Sequence, residues 1–386
     1  MTLLALDFDI ENPWLDAVVG LVVIVAFMTI AVLLLVYLER KISARIQSRL
    51  GPMRVGPHGT LQTLADAIKL IGKEDLRPAG ADRWVFELAP FAIFVPTFRA
   101  FIAIPFTRNW AVSFLDLGLF YIVAVGGLSF VGFLMAGWAS DNKYALFGAL
   151  RAAAQLISYE VPLILALLSI SMVAGTLNLR EIVLFQGHIP LFVWQPLALF
   201  LFIAAALAEL ERQPFDVPTA ESEVAGGPFI EYSGIRWSMF FLASYANLFV
   251  FSLLGAVVFL GGWDWPLGTA AGLWLQILLM TAKTSFFIFL FIWMRFALPR
   301  VRIDQLMSYA WKVLIPLGFL QVFTNGLVLV YGWPDGILLI FSGGGLALAS
   351  YIVYRVARVE PRTVELVPSR GGRAPMPVAA EGGSGA

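Results

Sequence analysis

The sequence predicts an all-α protein that crosses a membrane about nine times, with an interfacial amphipathic helix and long cytoplasmic loops. Of its 386 residues, 60% are hydrophobic and only 13% are charged, whereas soluble domains carry roughly 25% charged residues. Apolar runs of about 20 residues, the length that spans a bilayer, recur along the chain. This composition excludes a soluble globular enzyme, a nucleic-acid-binding protein and a disordered scaffold.

Each apolar run is taken as one membrane span. The nine runs lie near 15–38, 84–106, 114–138, 150–174, 191–211, 236–262, 270–297, 312–332 and 336–355. The first run ends in charged residues without a small-residue cleavage site, which favours a helix over a signal peptide. We therefore expect a single transmembrane domain over residues 1–358. The Pro-, Gly- and Ala-rich segment 359–386 is typical of a disordered tail.

The basic residues predict the orientation, because cytoplasmic loops retain positive charge. With the N-terminus outside, 22 of the 26 Lys and Arg residues fall in the inner loops and the tail. Only Arg108 and Arg180 then lie in outer loops. We expect an outside N-terminus and a cytoplasmic C-terminus.

The chain has few residues that could hold a redox-active group. The sequence has no cysteine, so it holds no disulfide, iron–sulfur cluster or thiolate metal site. Its only histidines are His58 and His188, and it lacks a dinucleotide or phosphate-binding glycine motif. We predict no metal site and no covalently bound cofactor. Electrons for any redox reaction must come from a partner, and a hydrophobic acceptor could enter from the lipid.

The first inner loop, 39–83, is more elaborate than a connector. The turns Gly51-Pro52 and Gly56-Pro57 precede a segment with apolar residues at helical spacing. That apolar face consists of Leu61, Leu64, Ala65, Ile68 and Ile71. The pattern predicts an amphipathic helix along the inner interface, either as a simple membrane anchor or as part of a site.

Two further inner loops combine charge with apolar residues. Residues 211–234 contain acids interleaved with prolines and aromatic residues, which indicates a packed loop that must pair or protonate its carboxylates. These acids are Glu211, Asp216, Glu221, Glu223 and Glu231, with Glu209 just before them. In the loop 295–312, Arg300 and Arg302 either pair with Asp304 or acids of other loops, or act as a positive-inside signal.

Ionisable residues inside spans are functional candidates because they are costly in lipid. Glu160 lies about 14 Å along a helix from Arg151, near the midplane. Lys283 lies in the middle of the seventh span, so a Glu160–Lys283 pair is one option. The inner ends of the first, second and fifth spans carry Glu39, Glu87 and Glu209. Singly each could reach water, but together they outline an acidic route toward Glu160.

Four long stretches, at 37–70, 136–163, 208–234 and 295–316, carry a family resemblance. They include ERKISARIQSRLGPMRVGPHG, RAAAQLISYEVP, ERQPFDVPTAESEVAGGPFIEYSG and RFALPRVRIDQLMSYAWK. The chain closely resembles the quinone-site membrane subunit of respiratory complex I, the H subunit of bacterial NADH:quinone oxidoreductase. The resemblance covers most of the chain, from the first span to the eighth.

The resemblance implies roles for individual residues. It implies a quinone cavity framed by Glu39, Arg40, Arg45 and Asp66. It implies a proton relay formed by Glu160, Glu209, Glu221, Glu223 and Lys283. It further implies loop ion pairs that involve Asp216, Arg295, Arg300 and Arg302. It also implies a mobile acidic loop around Glu221 and Glu223. Thr219 stands where the family usually has an acid.

The same resemblance implies quinone as substrate, with iron–sulfur clusters and flavin in partner subunits. The expected partners are peripheral iron–sulfur quinone-module subunits, antiporter-like membrane subunits and the lipid of the cell inner (plasma) membrane, and no nucleic acid. Quinone reduction would then drive proton translocation through buried carboxylates. Three alternatives stay open: a relative with another electron donor, such as a hydrogenase, a stand-alone secondary transporter, and an inert anchor.

Overall fold

The computed structural model describes residues 13–187, 189–264, 272–334 and 336–357. Within these ranges the regular structure is entirely helical, without a strand, which confirms the predicted all-α membrane fold. His188 and the predicted tail, 359–386, lie outside the described residues. The boundary of the transmembrane domain at residue 358 therefore stays a prediction.

Fifteen helices follow one another in the described residues. They are α1 (Pro13–Ile46), α2 (Gln62–Gly72), α3 (Arg83–Ala100), α4 (Gly118–Gly126), α5 (Ser129–Ala139), α6 (Lys143–Ala174), α7 (Leu179–Phe185), α8 (Leu191–Trp194), α9 (Pro196–Glu209), α10 (Glu221–Val224), α11 (Gly234–Leu260), α12 (Leu273–Ala297), α13 (Ile303–Tyr309), α14 (Ile315–Tyr331) and α15 (Gly336–Ala357). A π-helical turn at Ala310–Leu314 joins α13 to α14.

Eight helical segments of the described chain are long and apolar enough to cross a membrane. Eight of the nine predicted spans correspond to them. The fifth predicted span, 191–211, differs, because its main helix, α9, has only 14 residues. That length is about 21 Å, against about 30 Å of hydrocarbon. Pro196, which cannot donate a backbone hydrogen bond, starts α9 after a break at Gln195.

The long helix α6 packs against α5, α9 and α14. It begins at Lys143, and the side chain of the preceding Asn142 accepts a hydrogen bond from the backbone N–H of Tyr144 at 2.9 Å. It ends at Ala174, and the following Gly175 adopts a left-handed φ of 69°. A Cβ atom at Gly137 of α5 would lie 2.3 Å from that of Ala149. Glycine thus permits the close packing of α5 on α6.

Candidate functional site

Two neighbouring cavities lie between the helices near the C-terminal end of α9. The larger, here the inner cavity, has a volume of about 180 Å³ and is lined by α3, α5, α11, α12 and the loop after α9. The smaller, the deep cavity, has a volume of about 30 Å³ and is lined by Glu160, enough for about one water molecule. Ser129, Glu209 and Asn247 line both cavities. Glu209 therefore lies between the loop acids and Glu160.

The inner cavity is rich in ionisable side chains. Its acidic lining is Glu209, Glu211 and Asp216, and its basic lining is Arg212 and Arg295. Burial, followed by the charge of nearby Asp216, raises the pKa of Glu211 to about 8. Glu211 thus favours its neutral form at pH 7 and can release a proton when its surroundings change.

Glu39 is the centre of an ion cluster beside this cavity, in which Glu39 and Arg212 are buried and Arg295 is partly exposed. Its Oε2 accepts a hydrogen bond from Arg212 Nη1 at 2.6 Å, and its Oε1 accepts one from Arg295 Nη1. The Arg212 guanidinium also stacks on the Tyr245 ring, 4.8 Å from its centroid. This cluster, Glu39–Arg212–Arg295, ties α1, α12 and the loop after α9 to one wall of the cavity.

Thr219 faces Asp216 in the same loop. Its hydroxyl donates a hydrogen bond to Asp216 Oδ1. Where the resemblance leads one to expect an additional carboxylate, the chain therefore supplies a neutral donor. Both residues line the inner cavity.

The loop acids Glu221, Glu223 and Glu231 lie outside both cavities. Glu221 and Glu223 belong to the short helix α10 and are exposed. Glu223 forms an ion pair with Arg151 of α6, which links the acidic loop to the helix that carries Glu160. No sequence pattern predicted this pairing of Arg151 with Glu223.

The residues expected to frame a quinone cavity separate into two groups. Arg40 Nη1 donates to Asp66 Oδ2 at 2.6 Å, and Gln62 donates to Asp66 Oδ1 at 3.1 Å. Burial opposes ionisation of Asp66, but these hydrogen bonds outweigh it and lower its pKa. Arg45 is exposed at the end of α1. Glu39, one residue before Arg40, belongs instead to the buried cluster.

Lys283 has a partner away from Glu160. Its Nζ donates a hydrogen bond to the carbonyl oxygen of Asp264 at 2.6 Å, beyond the C-terminal end of α11. The long lysine side chain reaches from α12 toward this loop, as basic residues in spans commonly do. Within the described part of the chain, Lys283 and Glu160 form no ion pair, so the acidic route does not include Lys283 by direct contact.

The ion pairs in and near the loop 295–312 also differ from those that the sequence suggested. Arg295 pairs with Glu39 of α1 rather than with a loop acid. Arg300 and Arg302 form no ion pair with any described residue. The backbone joins the loops instead, since Val301 N donates to the carbonyl of Pro214 at 3.1 Å. In the described ranges no group of three or more Asp, Glu or His side chains has a metal-binding arrangement.

Comparison with known proteins identifies the family. Residues 19–326 match the family described as NADH dehydrogenase. The H subunit of the NADH-quinone oxidoreductase of Brevibacillus brevis is 44% identical over 315 residues, which cover 82% of this chain and 92% of the relative.

Two further relatives carry the same name. The Rubrobacter xylanophilus protein is 44% identical over 336 residues, 85% of this chain and 100% of the relative. The Anoxybacillus flavithermus protein is 45% identical over 313 residues, 80% and 91% respectively. With its helical membrane fold and these relatives, the chain belongs to the NADH dehydrogenase family as a multi-pass membrane subunit of an NADH-quinone oxidoreductase.

Proposed function

We propose that this chain forms a quinone cavity with peripheral partner subunits and conveys the charge change of quinone reduction to a proton path in the membrane. The observation that carries the proposal is the position of Glu209, which lines both the inner and the deep cavity. Glu211 and Asp216 lie on one side of it and Glu160 on the other. Carboxylates spaced through small polar cavities are the groups that relay protons within membranes.

The first step is the reduction of quinone in a partner-lined cavity. Electrons come from an iron–sulfur cluster of a peripheral subunit, since this chain has no cysteine to bind a cluster of its own. Arg40 and Asp66, paired at the inner end of α1, are proposed to face the quinone together with Arg45. Two electrons and two protons convert the quinone to a quinol, so charge appears and is neutralised beside α1.

The second step passes this charge change to the acids. The Glu39–Arg212–Arg295 cluster begins one residue before Arg40 and ends in the wall of the inner cavity. Charges interact strongly in such a buried environment because solvent screens them weakly. A new charge near Arg212 and Arg295 therefore changes the proton affinity of the cavity acids Glu209, Glu211 and Asp216. A proton then moves between these acids and Glu160.

Glu221, Glu223 and Lys283 have supporting roles in this proposal. Glu223, paired with Arg151, holds the acidic loop on α6, and Glu221 remains exposed toward the peripheral side. Lys283 contributes charge in the outer half of α12. Antiporter-like membrane partners then use the proton displacement. The subunit is proposed to lie in the cell inner membrane, with its N-terminus outside and its C-terminus in the cytoplasm.

The test replaces the acids of the path in the assembled complex. Glu160→Gln and Glu209→Gln each keep the shape of the side chain and remove its exchangeable carboxyl proton. We expect proton translocation coupled to quinone reduction to fall about 100-fold or more, the lower end of the range for a positioned acid–base group. Proton uptake and quinol formation are measured together in membrane vesicles.

The matched control is Glu181→Gln. Glu181 is an acid of α7 that accepts a hydrogen bond from Thr176 and lines neither cavity. We expect normal coupling in this variant. Normal reduction and translocation in both Glu160→Gln and Glu209→Gln would contradict the proposed path. Full proton transport by the isolated chain in vesicles would instead support a stand-alone transporter.

A further inference from the structure

Gln155 of α6 makes two hydrogen bonds from one amide nitrogen. Its Nε2 donates to the carbonyl oxygen of Ala208 and to that of Phe215, each at 2.8 Å. The side chain is 1% exposed. Because both neighbours are carbonyl oxygens, only the nitrogen can face them, and this fixes the orientation of the amide.

The two carbonyls precede two acids of the inner cavity. Ala208 comes directly before Glu209 at the end of α9, and Phe215 comes directly before Asp216 in the acidic loop. Glu160 lies five residues after Gln155 on the same helix, about 7.5 Å along its axis. One side chain therefore connects the helix of Glu160 to the backbone that carries Glu209 and Asp216.

These bonds are additional to the local backbone hydrogen bonds. The carbonyl of Ala208 also accepts from Glu211 N at 3.1 Å, and that of Phe215 from Val217 N at 2.9 Å. Neither carbonyl would be left unpaired without Gln155. The Gln155 amide is thus not needed to give these carbonyls a hydrogen-bond partner. Its effect is on how this part of the backbone is placed against α6.

Burial of the amide has an energetic cost. Gln155 Oε1 is buried and has no hydrogen-bond donor among the described residues, and such a group is costly in a low-dielectric interior. A leucine would have similar volume without this cost. The two donated bonds are what the glutamine supplies and a leucine would not.

We propose that Gln155 is a positioning residue for the proton path, because its amide holds Glu209 and Asp216 at fixed distances from Glu160. This inference rests on the proposed function. It assigns Gln155 no contact with quinone and no exchange of protons. It predicts that loss of the amide donor alters proton transfer between the acids while the fold and the assembly of the complex persist.

The first experiment uses Gln155→Leu in the complete complex. We expect normal amounts of assembled complex but coupled turnover per complex about tenfold lower, the effect of two lost hydrogen bonds on a barrier. The pH profile of turnover should also shift. Gln321→Leu is the matched control, because Gln321 of α14 is likewise 1% exposed and has a buried Oε1 without a donor among the described residues. It lines neither cavity, and we expect wild-type turnover.

The second experiment uses Gln155→Glu, read against pH. A protonated carboxyl group can donate one hydrogen bond to these carbonyls, whereas an ionised one repels both. We therefore expect turnover relative to wild type to recover as the pH is lowered and to be lost as it is raised. A residue needed only for folding would show no such reversible dependence.

Three results would overturn the inference. The first is a wild-type turnover and pH profile in Gln155→Leu. The second is an equal loss of turnover in Gln155→Leu and Gln321→Leu. The third is failure of both Gln155 variants to assemble, which would assign the residue to folding. The experiments distinguish failure of this inference from failure of the proposed function. Normal coupling in Glu209→Gln removes the path itself, whereas impaired Glu209→Gln with normal Gln155→Leu removes only the role of Gln155.

Discussion

Glu39 illustrates how a single carboxylate can have both a structural role and a role in the transmission of charge. The sequence puts it at the inner end of α1, where an acid can reach water or frame a substrate cavity. The structure buries it between Arg212 and Arg295. A buried carboxylate with two guanidinium partners is stable only while the partners remain. Glu39 is thus expected to hold the inner cavity together as well as to transmit charge.

Removal of this carboxylate leaves two arginines without their buried anion. We expect Glu39→Leu to lower the free energy of unfolding by about 3 kcal/mol, as is typical when one partner of a buried pair is removed. The double variant Glu39→Leu/Arg212→Met should regain much of that loss, because the better-buried cation is also removed. SDS-induced unfolding in detergent micelles measures both variants. Equal stability of Glu39→Leu and wild type would contradict a structural role for the cluster.

Glu211 gives a prediction about pH. Since its pKa is raised to about 8, it stays protonated in the folded protein at pH values at which an unfolded chain has already lost that proton. Folding is therefore favoured by this group at low pH, and the contribution is lost as the pH rises from about 4.5 toward 8. Infrared spectra should contain a protonated carboxyl band that disappears near pH 8 and is absent from Glu211→Gln. A band that disappears near pH 4.5 would contradict this assignment.

Among the elements, α9 shows what hydropathy does not resolve. The residues 191–211 are continuously apolar, so a hydropathy pattern predicts one span. The break at Gln195 is accompanied by side chains from other helices: Leu197 N donates to Ser342 Oγ at 3.0 Å, and Ser169 donates to the side-chain Oε1 of Gln195 at 3.0 Å. The first contact pairs a backbone group that the break leaves free, as an interrupted helix in lipid requires. They come from distant parts of the chain and therefore lie beyond local pattern analysis.

The amphipathic helix α2 is the opposite case, because its periodicity predicted both the element and its apolar face. Leu61, Leu64, Ile68 and Ile71 are between 46% and 68% exposed in the described structure. Asp66, away from this apolar face, contacts Arg40. An exposed apolar face of this kind is what we expect of a helix that lies in the membrane interface.

Contact of this face with lipid can be tested by single-cysteine labelling, since the chain has no cysteine of its own. We expect Ile68→Cys to react with a membrane-soluble maleimide and to be protected from a charged one. Lys69→Cys, one residue further and on the polar side, is the control and should react with both. Rapid reaction of Ile68→Cys with the charged reagent would place this face in water.

At the scale of the whole molecule, the orientation rests on the basic residues. Arg108 and Lys143 are both exposed and fall in loops predicted to lie on opposite sides of the membrane. In intact cells we expect an impermeant maleimide to label Arg108→Cys, and to label Lys143→Cys only after the membrane is opened. The reverse pattern would invert the proposed topology.

The sequence alone was sufficient for the fold class and for eight of the spans, and it also singled out the loop acids as candidates, because composition and spacing are local properties. The partners of those acids were not predictable in this way. Glu39 pairs with residues 173 and 256 positions away, and Gln155 contacts carbonyls 53 and 60 positions away. No sequence pattern marked Arg212, Tyr245 or Gln155 as members of the site. Ion pairs and buried amides of this kind are set by the packing of helices that are distant in the chain.

The shortness of α9 has an electrical consequence. About 21 Å of helix stands where about 30 Å of hydrocarbon normally insulates the two sides, and a cavity lined by charged groups occupies its inner end. A membrane voltage falls mainly across the insulating part, so we expect water in this cavity to raise the field along α9 to about 1.4 times its ordinary strength. A proton that moved the length of this helix would cross nearly the full voltage, rather than about two thirds of it.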